Sequence, residues 1–560
     1  MYPKKELAQL VISACQHFNI DTVVISPGSR NAPLTIGFTN HPEIDTVSIV
    51  DERSAAFFAL GIAQQKQKPV AVLCTSGSAM LNYYPAIAEA FYSNIPLIVL
   101  SADRPKHLID IGDGQTIRQE NVFDKHILFS ANLVENENLN SNAANVIQRQ
   151  NQQLISEALN TAIAQKGPVH INIPFDEPLY ETVDALTHFD FPNINTSYLD
   201  NNNIDYSKLA KVWNSSERKM IVVGVNYPDA ELHQLMDLFA DDPSVLLLTE
   251  TTSNLHHEKA INSIDQLIFS LDDDGFKALQ PDILLTFGGM IVSKKIKKFL
   301  RTYQPKHHWN IDEKKAMNTF FCLSEFIQTN PVDFFKRFNA VIEMKSNGYR
   351  DHWLAIRDDK REKHSSYINT VTHSDFKVFE QVLEALPSHT KLQMSNSAII
   401  RYAQLFTIDS TIETYCNRGT SGIDGSTSTA IGAAYASEEQ TTLITGDLSF
   451  FYDSNALWNK EIPKDFRIIL VNNSGGGIFK IIPGPSSTNA IQYFETPHCL
   501  TAEHLAKTYG FEYRKAYSEE TVENGLNGFF DASENPRILE IFTPSQENDG
   551  ILKSYFKHLE

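Results

Sequence analysis

Two short polar segments near the carboxyl end of this chain suit a metal ion and a phosphate group. Gly446-Asp447-Leu448-Ser449 and Asn472-Asn473-Ser474-Gly475-Gly476-Gly477 each follow an apolar run. A carboxylate, a side-chain amide oxygen and free backbone carbonyls are hard oxygen ligands that suit an octahedral Mg²⁺ holding phosphate oxygens. The predicted metal ligands are therefore Asp447, Asn473 and Gly475, with Mn²⁺ as a possible substitute for Mg²⁺.

The spacing of these segments predicts that they meet at one edge of a sheet. Asp447 and Asn473 are separated by 25 residues, enough for one helix and the next strand. In an open parallel sheet the ligand crevice lies at the carboxyl ends of the strands. Glycines let the backbone approach a diphosphate, and a helix beginning at Asp447 would point its amino end at that group. Either segment alone is an ordinary turn, but the pair predicts a metal-diphosphate site.

The elements that must position these residues are short apolar runs alternating with helical stretches. Runs that are apolar on both faces are typical of strands in a buried parallel sheet. They form three sets: Thr22 to Ile25, Val47 to Val50, Val70 to Cys74, Leu97 to Ser101 and Val169 to Ile173; Met220 to Val225, Val245 to Leu248 and Ile283 to Phe287; Lys391 to Met394, Thr441 to Thr445, Phe466 to Val471 and Arg537 to Phe542. The predicted fold class is α/β, with three doubly wound parallel-sheet domains.

The predicted domains cover residues 1–185, 200–345 and 370–560. An Asn- and Asp-rich stretch around residue 190, His188 to Asp205, has the composition of a linker. A charged stretch from Glu343 to Ser366 is predicted to be helical and to join the second domain to the third.

Composition excludes several classes of protein. The chain has 560 residues, too many for one small binding module, and its hydrophobic fraction of 42% argues against disorder. A net charge of −20 without a long basic run argues against a nucleic-acid partner. The five cysteines lack CxxC spacing and indicate reduced thiols in a cytoplasmic protein. No apolar run approaches the ~18 residues of a membrane span, so no membrane partner is expected.

The Gly-Asp segment followed by Asn resembles the metal motif of the thiamin-diphosphate (ThDP) enzymes. That resemblance implies ThDP as the cofactor and a ThDP-binding fold in which the first domain binds the pyrimidine and the third binds the diphosphate and Mg²⁺. It also implies a carboxylate in the first domain that hydrogen-bonds the aminopyrimidine. Glu52 is the candidate, since it follows the run ending at Val50 and opens a helix. Taken alone, Asp51 and Glu52 are explained by the preference of acidic residues for a first helical turn.

Finer features are similar to one branch of that superfamily, the 2-succinyl-5-enolpyruvyl-6-hydroxy-3-cyclohexene-1-carboxylate (SEPHCHC) synthases of menaquinone biosynthesis. The resemblance covers residues 20–480 and rests on seven segments: Ser26 to Thr35, Asp51 to Ser54, Thr75 to Ala79, Ser101 to Pro105, Gln115 to Gln119, Asn417 to Gly425 and Gly446 to Ser449. It implies decarboxylation of 2-oxoglutarate on ThDP and addition of the succinyl unit to isochorismate. It also implies a homodimer or homotetramer, because in this superfamily the first and third domains meet across a subunit interface.

Substrates with two carboxylates require local cations in a chain of net charge −20. Four arginines lie at crevice positions, and the resemblance assigns Arg30, Arg104 and Gln115 to isochorismate, and Ser397, Arg401 and Arg418 to the 2-oxoglutarate carboxylate. It further implies that Ile423 supports the bent cofactor and that Ile478 and Phe479 wall the site. Lys294 and Lys295 stand where relatives carry a Lys-Arg pair. A substrate contact there and an ordinary solvated patch, formed with Lys297 and Lys298, remain equally open.

Two alternatives remain. One is another carboligase or decarboxylase of the same superfamily that uses pyruvate or a different acceptor, which would need fewer arginines. The other is a catalytically silent protein of the same fold with a binding or regulatory role. Such a protein has no physical need to keep Glu52, Asp447 and Asn473 together.

Overall fold

Each of the three sets of apolar runs forms its own sheet in the computed structural model, which describes residues 1–136, 141–192, 204–481 and 484–560. Each of these sheets has six strands. All of their strand pairs are parallel. The predicted α/β class with three parallel-sheet domains is confirmed.

The N-terminal sheet has the strand order β3-β2-β4-β5-β7-β6, and a short antiparallel pair joins β1 to β8. Its strands are β1 Tyr2–Pro3, β2 Thr22–Ile25, β3 Asp45–Ser48, β4 Val70–Cys74, β5 Leu97–Asp103, β6 Phe129–Asn132, β7 Val169–Pro174 and β8 Thr182–Val183. Its helices are α1 Glu6–His17, α2 Ala32–Thr39, α3 Glu52–Lys66, α4 Ala79–Asn82, α5 Tyr84–Ser93 and α6 Ser141–Gln165.

The central sheet has the order β11-β10-β9-β12-β13-β14. Its strands are β9 Lys219–Val223, β10 Val245–Leu248, β11 Ala260–Ile261, β12 Ile283–Phe287, β13 His307–Asp312 and β14 Glu325–Gln328. Its helices are α7 Tyr206–Ser215, α8 Ala230–Asp241, α9 Ile264–Ile268, α10 Asp273–Leu279, α11 Lys294–Thr302, α12 Pro331–Phe338 and α13 Tyr349–Ile368, the last leading into the C-terminal part.

The C-terminal sheet has the order β16-β15-β17-β18-β20-β19, so the strands before Asp447 and Asn473 are central neighbours. Its strands are β15 Lys391–Met394, β16 Glu413–Cys416, β17 Thr441–Gly446, β18 Arg467–Asn472, β19 Glu512–Ala516 and β20 Arg537–Phe542. Its helices are α14 Asp375–Ala385, α15 Ala398–Ala403, α16 Ser426–Ala436, α17 Asp447–Tyr452, α18 Ile478–Ile481, α19 Ile491–Glu495, α20 Glu503–Thr508, α21 Glu519–Leu526 and α22 Asn548–His558.

The N-terminal and C-terminal sheets are joined by the packing of α3 on α16. A Cβ added at Gly61 would lie 2.1 Å from the carbonyl oxygen of Thr429, and one added at Gly432 would lie 2.0 Å from that of Phe58. These two glycines let the helix backbones touch, and side chains of both domains share one buried core. The packing therefore fixes the helix that begins at Glu52 against the C-terminal domain of the same chain.

Most predicted runs coincide with strands to within one or two residues. The run from Val47 to Val50 is displaced, because β3 ends at Ser48 and the next two residues belong to the loop before α3. The charged stretch forms α13, which spans Tyr349–Ile368. Much of the predicted linker around residue 190 lies outside the described residues, at 193–203. The domain boundaries stay a prediction.

Candidate active site

The ends of β17 and β18 form a small polar cradle in the C-terminal domain. Asp447 is 3% exposed, and its Oδ2 accepts a hydrogen bond of 2.9 Å from the backbone N–H of Gly475. Oδ1 of the same carboxylate accepts one of 2.7 Å from the N–H of Leu448. Asn473 donates its Nδ2 to Asp375 at 2.9 Å, which directs its Oδ1, the acceptor atom of the amide, away from that bond.

This cradle has the electrostatics of a cation site. Burial raises the pKa of Asp447 to about 7, against the backbone hydrogen bonds that lower it. The imidazole Nε2 of His498 lies 3.3 Å from Oδ2 of Asp447, but burial lowers the pKa of His498 and favours its neutral form. A buried carboxylate beside a neutral imidazole is stabilised by a bound cation. One carboxylate, one amide oxygen and one backbone carbonyl thus fit Mg²⁺, provided that phosphate and water complete the shell.

No cluster of three or more His, Cys, Asp or Glu side chains that could hold a metal ion occurs within the described residues. A closed metal cage made only by such side chains is therefore not what this site offers. The predicted ligand set differs from such a cage because two of its three members are an amide and a backbone carbonyl. Ligand sets with few carboxylates are typical of Mg²⁺ that also holds substrate or cofactor phosphates.

The glycine segment after β18 lies close to its neighbours, and at Gly475 there is no room for a side chain. Gly475 has a φ of +148°, and a Cβ there would lie 2.5 Å from the carbonyl oxygen of Glu495. On the other side of the cradle, Gly446 donates its N–H to Ser395 at 3.3 Å. Ser449 donates its hydroxyl to the carbonyl of Ile423 at 2.7 Å. The Gly446–Ser449 turn and the turn containing Ile423 are thereby fastened together.

Apolar side chains border the polar cradle. Ile478 is buried, and Phe479 stacks on Phe494 with ring centroids 5.2 Å apart. Ile423 is 38% exposed at the rim. Apolar side chains that directly follow the glycine segment are expected where a charged group must react away from water.

Two arginines of the C-terminal domain lie close to each other and keep free donors. Arg418 donates its Nη1 to Oδ1 of Asn396 at 2.6 Å. Burial lowers the pKa of Arg401, and the charge of Arg418 lowers it further. The Nε atoms of both guanidinium groups are buried without a hydrogen-bond partner among the described residues. Ser397, which caps α15 at φ +72°, lies one helical turn before Arg401.

In the N-terminal domain, Glu52 is the first residue of α3 and is half-buried. Its Oε2 lies 3.5 Å from Nδ2 of Asn82, and burial raises the pKa of its carboxyl group. The neighbouring Asp51 has a different task, because it caps the helix by accepting from Ser54 N–H at 3.3 Å. The two acids therefore have different partners: Asp51 caps the helix, and Glu52 lies next to the side chain of Asn82.

The residues predicted to bind isochorismate follow strands of the N-terminal sheet. Arg30 is 3% exposed, donates to the carbonyl of Phe175 at 2.8 Å, and has its pKa lowered by burial and then by the charge of Arg104. The Nη1 of Arg104 lies 3.8 Å from Asp113, and its Nε is buried without a partner in the described part of the chain. Gln115 is exposed, at φ +53°, with its backbone against Gly77.

Comparison with known proteins decides the family. Two family models match, "Thiamine pyrophosphate enzyme, N-terminal TPP binding domain" over residues 5–127 and "Middle domain of thiamine pyrophosphate" over residues 193–394. The SEPHCHC synthase of Flavobacterium johnsoniae is 55% identical, and that of Flavobacterium psychrophilum 53%, each comparison covering 100% of both chains. The SEPHCHC synthase of Porphyromonas gingivalis is 37% identical over 100% of this chain and 98% of the relative. The chain belongs to the SEPHCHC synthase family.

For this SEPHCHC synthase family member, the structure gathers the predicted residues into groups. Around the ends of β15 to β18 lie the cradle, the glycine segment, the apolar wall and the arginine pair. Glu52, Arg30, Arg104 and Gln115 lie at the strand ends of the N-terminal sheet. Among the described residues, no contact joins Glu52 to Asp447, whose carboxylate contacts Leu448, Gly475 and His498. The role of each residue stays a prediction.

The paired lysines of the central domain have unlike surroundings. Lys295 places its Nζ 4.8 Å from the ring centroids of both Phe269 and Phe556. Lys294 is exposed. A cation held between two aromatic rings is already engaged by their faces.

Within the described part of the chain, no helix is long and apolar enough to cross a membrane.

Two buried polar residues that support the site were missed by sequence reasoning. Gln119 is 1% exposed and accepts the N–H of Gly77 at 2.8 Å while donating to Asn172 at 2.9 Å, which fastens the segment after Gln115. Glu250 is 3% exposed in the central domain and accepts the N–H groups of Val292 and Ser293 at 2.6 and 2.7 Å. Their partners are distant in sequence, so no local spacing could have indicated either role.

Proposed function

We propose that this chain uses ThDP and Mg²⁺ to decarboxylate 2-oxoglutarate and to add the succinyl unit to isochorismate, giving SEPHCHC and CO₂. The observation that carries the proposal is the pair of guanidinium groups of Arg401 and Arg418, whose Nε donors have no hydrogen-bond partner among the described residues. A monocarboxylic donor such as pyruvate gives such a pair nothing to bind once its own carboxylate has left. The full-length similarity to SEPHCHC synthases supports the same substrates.

The cofactor would be held by the C-terminal cradle. Asp447, Asn473 and the Gly475 carbonyl would bind Mg²⁺, and the backbone from Gly446 to Ser449 would face the diphosphate. Ile423 would support the cofactor from the rim, with Ile478 and Phe479 excluding water from the reacting carbon. When bound, ThDP supplies the electron sink that allows CO₂ to leave a 2-oxo acid.

Glu52 would hydrogen-bond the aminopyrimidine ring of the cofactor and share a proton with it. A carboxyl group whose pKa is raised by burial shares a proton with a ring nitrogen more readily than a solvated carboxylate does. Asn82, 3.5 Å away, orients the carboxyl group without adding charge. Because Glu52 and Asp447 have no described contact, we propose that a second copy of the chain brings the two together in a homodimer or homotetramer.

Exposed apolar side chains near both groups support that assembly. Val50 is 46% exposed just before Glu52, and Leu81 is 40% exposed beside Asn82. Tyr452, at the end of the helix that begins at Asp447, is 53% exposed. A second copy covering these side chains would remove apolar surface from water. The cytoplasmic location expected from the cysteines stays a prediction.

The two substrates would be bound by different domains. Ser397, Arg401 and Arg418 would hold the distal carboxylate of the donor, while Arg30, Arg104 and Gln115 would hold the carboxylates of isochorismate. CO₂ carries away the carboxylate next to the keto group, and the former keto carbon forms the new bond to the isochorismate ring.

The donor assignment is tested by CO₂ release from 2-oxoglutarate and from pyruvate at equal concentrations, with Mg²⁺ and ThDP present. We expect release from 2-oxoglutarate to exceed release from pyruvate by at least about a hundredfold, the scale reached when a site built for a charged group is left unpaired. Equal rates, or faster release from pyruvate, would favour the alternative of a different carboligase of the same superfamily.

A further inference from the structure

Three lysines of α11 lie in the first turn of a helix, where positive charge is unfavourable. Lys294, Lys295 and Lys297 follow the cap residue Ser293, whose hydroxyl accepts the N–H of Ile296 at 3.1 Å. The amino end of a helix carries a partial positive charge, so cations there are destabilising unless an anion is near. A local feature that costs stability is a reason to look for a functional cause.

Two of these lysines are accounted for by their surroundings. Lys295 lies between the rings of Phe269 and Phe556, and Lys294 is exposed to solvent. Lys297 differs from both because it is half-buried and has no hydrogen bond or ion pair with any residue that the structure describes. It lies one turn after Ser293, on the helix face that begins beside Glu250.

The segment that follows Glu250 ties this helix face to the arginine pair. The Glu250 carboxylate binds the backbone amides of Val292 and Ser293, directly before α11. Four residues later, Asn254 donates to the carbonyl of Thr414 at 3.0 Å and accepts its N–H at 2.8 Å. Thr414 lies in β16, the strand that leads to Arg418. One short segment of the central domain therefore holds both the start of α11 and the strand that leads to Arg418.

A cavity confirms that the start of α11 faces α15. This cavity of about 190 Å³ is lined by Ser293, Lys294 and Lys295 on one side and by Ala398, Arg401 and Ile478 on the other. Arg401 thus lies across the cavity from Ser293 and Lys294, and Lys297 follows these two residues by one helical turn on the same face of α11. The central domain therefore contributes one wall of the cavity next to Arg401.

The charges around Lys297 are consistent with that placement. Burial lowers the pKa of Lys297 most, and the charge of Glu250 opposes this change. Arg418, Arg301 and Arg401 lower the pKa further. The acids nearby are already engaged, since Glu250 accepts from two amides and Asp265 accepts from the hydroxyl of Ser293. Within the described part of the chain, Lys297, Arg401 and Arg418 therefore each keep a donor that no acid engages.

We propose that Lys297 binds the distal carboxylate of the donor acid together with Arg401 and Arg418. This inference rests on the proposed function, and it makes the central domain part of the substrate site. An ammonium group on a flexible stem adds charge to the pair of guanidinium groups without requiring a fixed geometry. Lys297 is then a residue that selects a dicarboxylic over a monocarboxylic 2-oxo acid.

The test compares Lys297→Met with Lys298→Met in the holoenzyme with Mg²⁺ and ThDP. Lys298 is the next residue of the same helix and is exposed, so its variant removes the same charge outside the site. We expect Lys297→Met to raise the KM for 2-oxoglutarate about tenfold, equivalent to roughly 1.4 kcal/mol, with kcat nearly unchanged. Lys298→Met should match the wild type, and Lys297→Arg should restore most of the affinity.

A second donor separates binding of the carboxylate from a structural effect. 2-Oxobutyrate lacks the distal carboxylate, so its kcat/KM should be the same in Lys297→Met and in the wild type. Equal losses for both donors, an unchanged KM for 2-oxoglutarate, or a rise only in the KM for isochorismate would overturn this inference alone. A wild-type enzyme that releases no CO₂ from 2-oxoglutarate would instead overturn the proposed function, and this inference with it.

Discussion

The backbone N–H of Gly475 donates a hydrogen bond to Oδ2 of Asp447 across 2.9 Å, joining the ends of the two central strands of the C-terminal sheet. This bond brings the carboxylate, the glycine turn and Asn473 together in one cradle. Because Asp447 is buried and has a raised pKa, the cradle favours a cation. Cofactor binding and catalysis can therefore be separated by mutation.

Asp447→Ala should weaken cofactor binding itself. The change removes the only carboxylate of the proposed Mg²⁺ ligand set, and we expect the affinity for ThDP in the presence of Mg²⁺ to fall at least about a hundredfold. Calorimetric titration of the metal-free protein with ThDP and Mg²⁺ measures this directly. EDTA should abolish activity of the wild type, and either Mg²⁺ or Mn²⁺ should restore it. An unaltered ThDP affinity in the variant would rule out the metal assignment.

Glu52→Gln should do the reverse, lowering kcat by at least about a hundredfold while ThDP and Mg²⁺ still bind. Asp51→Asn is the matched control, since Asn is also a good helix cap and Asp51 holds the helix end rather than the site. Steady-state kinetics combined with the same calorimetric titration separates the two effects. Normal turnover in Glu52→Gln, or an equal loss in Asp51→Asn, would remove Glu52 from the mechanism.

Gly432→Ala should destabilise the protein because its Cβ would lie 2.0 Å from the carbonyl oxygen of Phe58, a backbone atom of α3. The two helices must then separate, and Glu52 at the start of α3 moves with them. Gly550→Ala provides the control, because nothing lies within 4 Å of a Cβ at that helical position. We expect a melting temperature several degrees lower for the first variant, roughly 2–4 °C per kcal/mol lost in a large domain. Equal melting temperatures would contradict the close packing.

The pH dependence of stability should carry the signature of Asp453. Burial raises the pKa of this carboxyl group from its ordinary value of 3.8 to about 7, although the carboxylate accepts hydrogen bonds from the N–H and hydroxyl of Ser428. Between these two values the folded state holds a proton that the unfolded state has released, so stability falls as the pH rises, by at most about 1.4 kcal/mol per unit. Asp453→Asn should remove the part of this decrease in stability that Asp453 causes.

Melting temperatures of the wild type and Asp453→Asn, measured at pH 5.5 and at pH 8, check the sign of this pH dependence. Both pH values are needed because the contribution of Asp453 is the change in the difference between the two proteins from one pH to the other. The difference between the proteins should shift in favour of Asn at the higher pH. A constant difference, or one that shifts in favour of the wild type, would contradict a raised pKa for Asp453.

Sequence patterns predicted the long apolar strands, but they missed the buried two-residue β11 and several strands with largely polar residues, among them the buried β13. Val70–Cys74 and Ile283–Phe287 are apolar on both faces and lie inside their sheets, so their boundaries were predicted correctly. Phe129–Asn132, Glu325–Gln328 and Glu512–Ala516 are edge strands, half open to solvent, and their polar residues hide the strand signal.

The same limit applies to the site. Local motifs indicated Asp447 and Asn473 because their spacing follows from the strand order of a parallel sheet. Glu250 and Gln119 act on segments far away in sequence, and the charged turn containing Lys297 resembles any solvated basic patch. Which lysine faces a buried arginine pair depends on how two domains pack, and that packing leaves no short-range pattern.

The most direct test of the central claim follows both products of the reaction at once. Purified protein with Mg²⁺, ThDP, 2-oxoglutarate and isochorismate should release one CO₂ for each molecule of an adduct whose mass is the sum of the two substrates less CO₂. CO₂ release from pyruvate but not from 2-oxoglutarate, or release from 2-oxoglutarate with no adduct in the presence of isochorismate, would contradict the account.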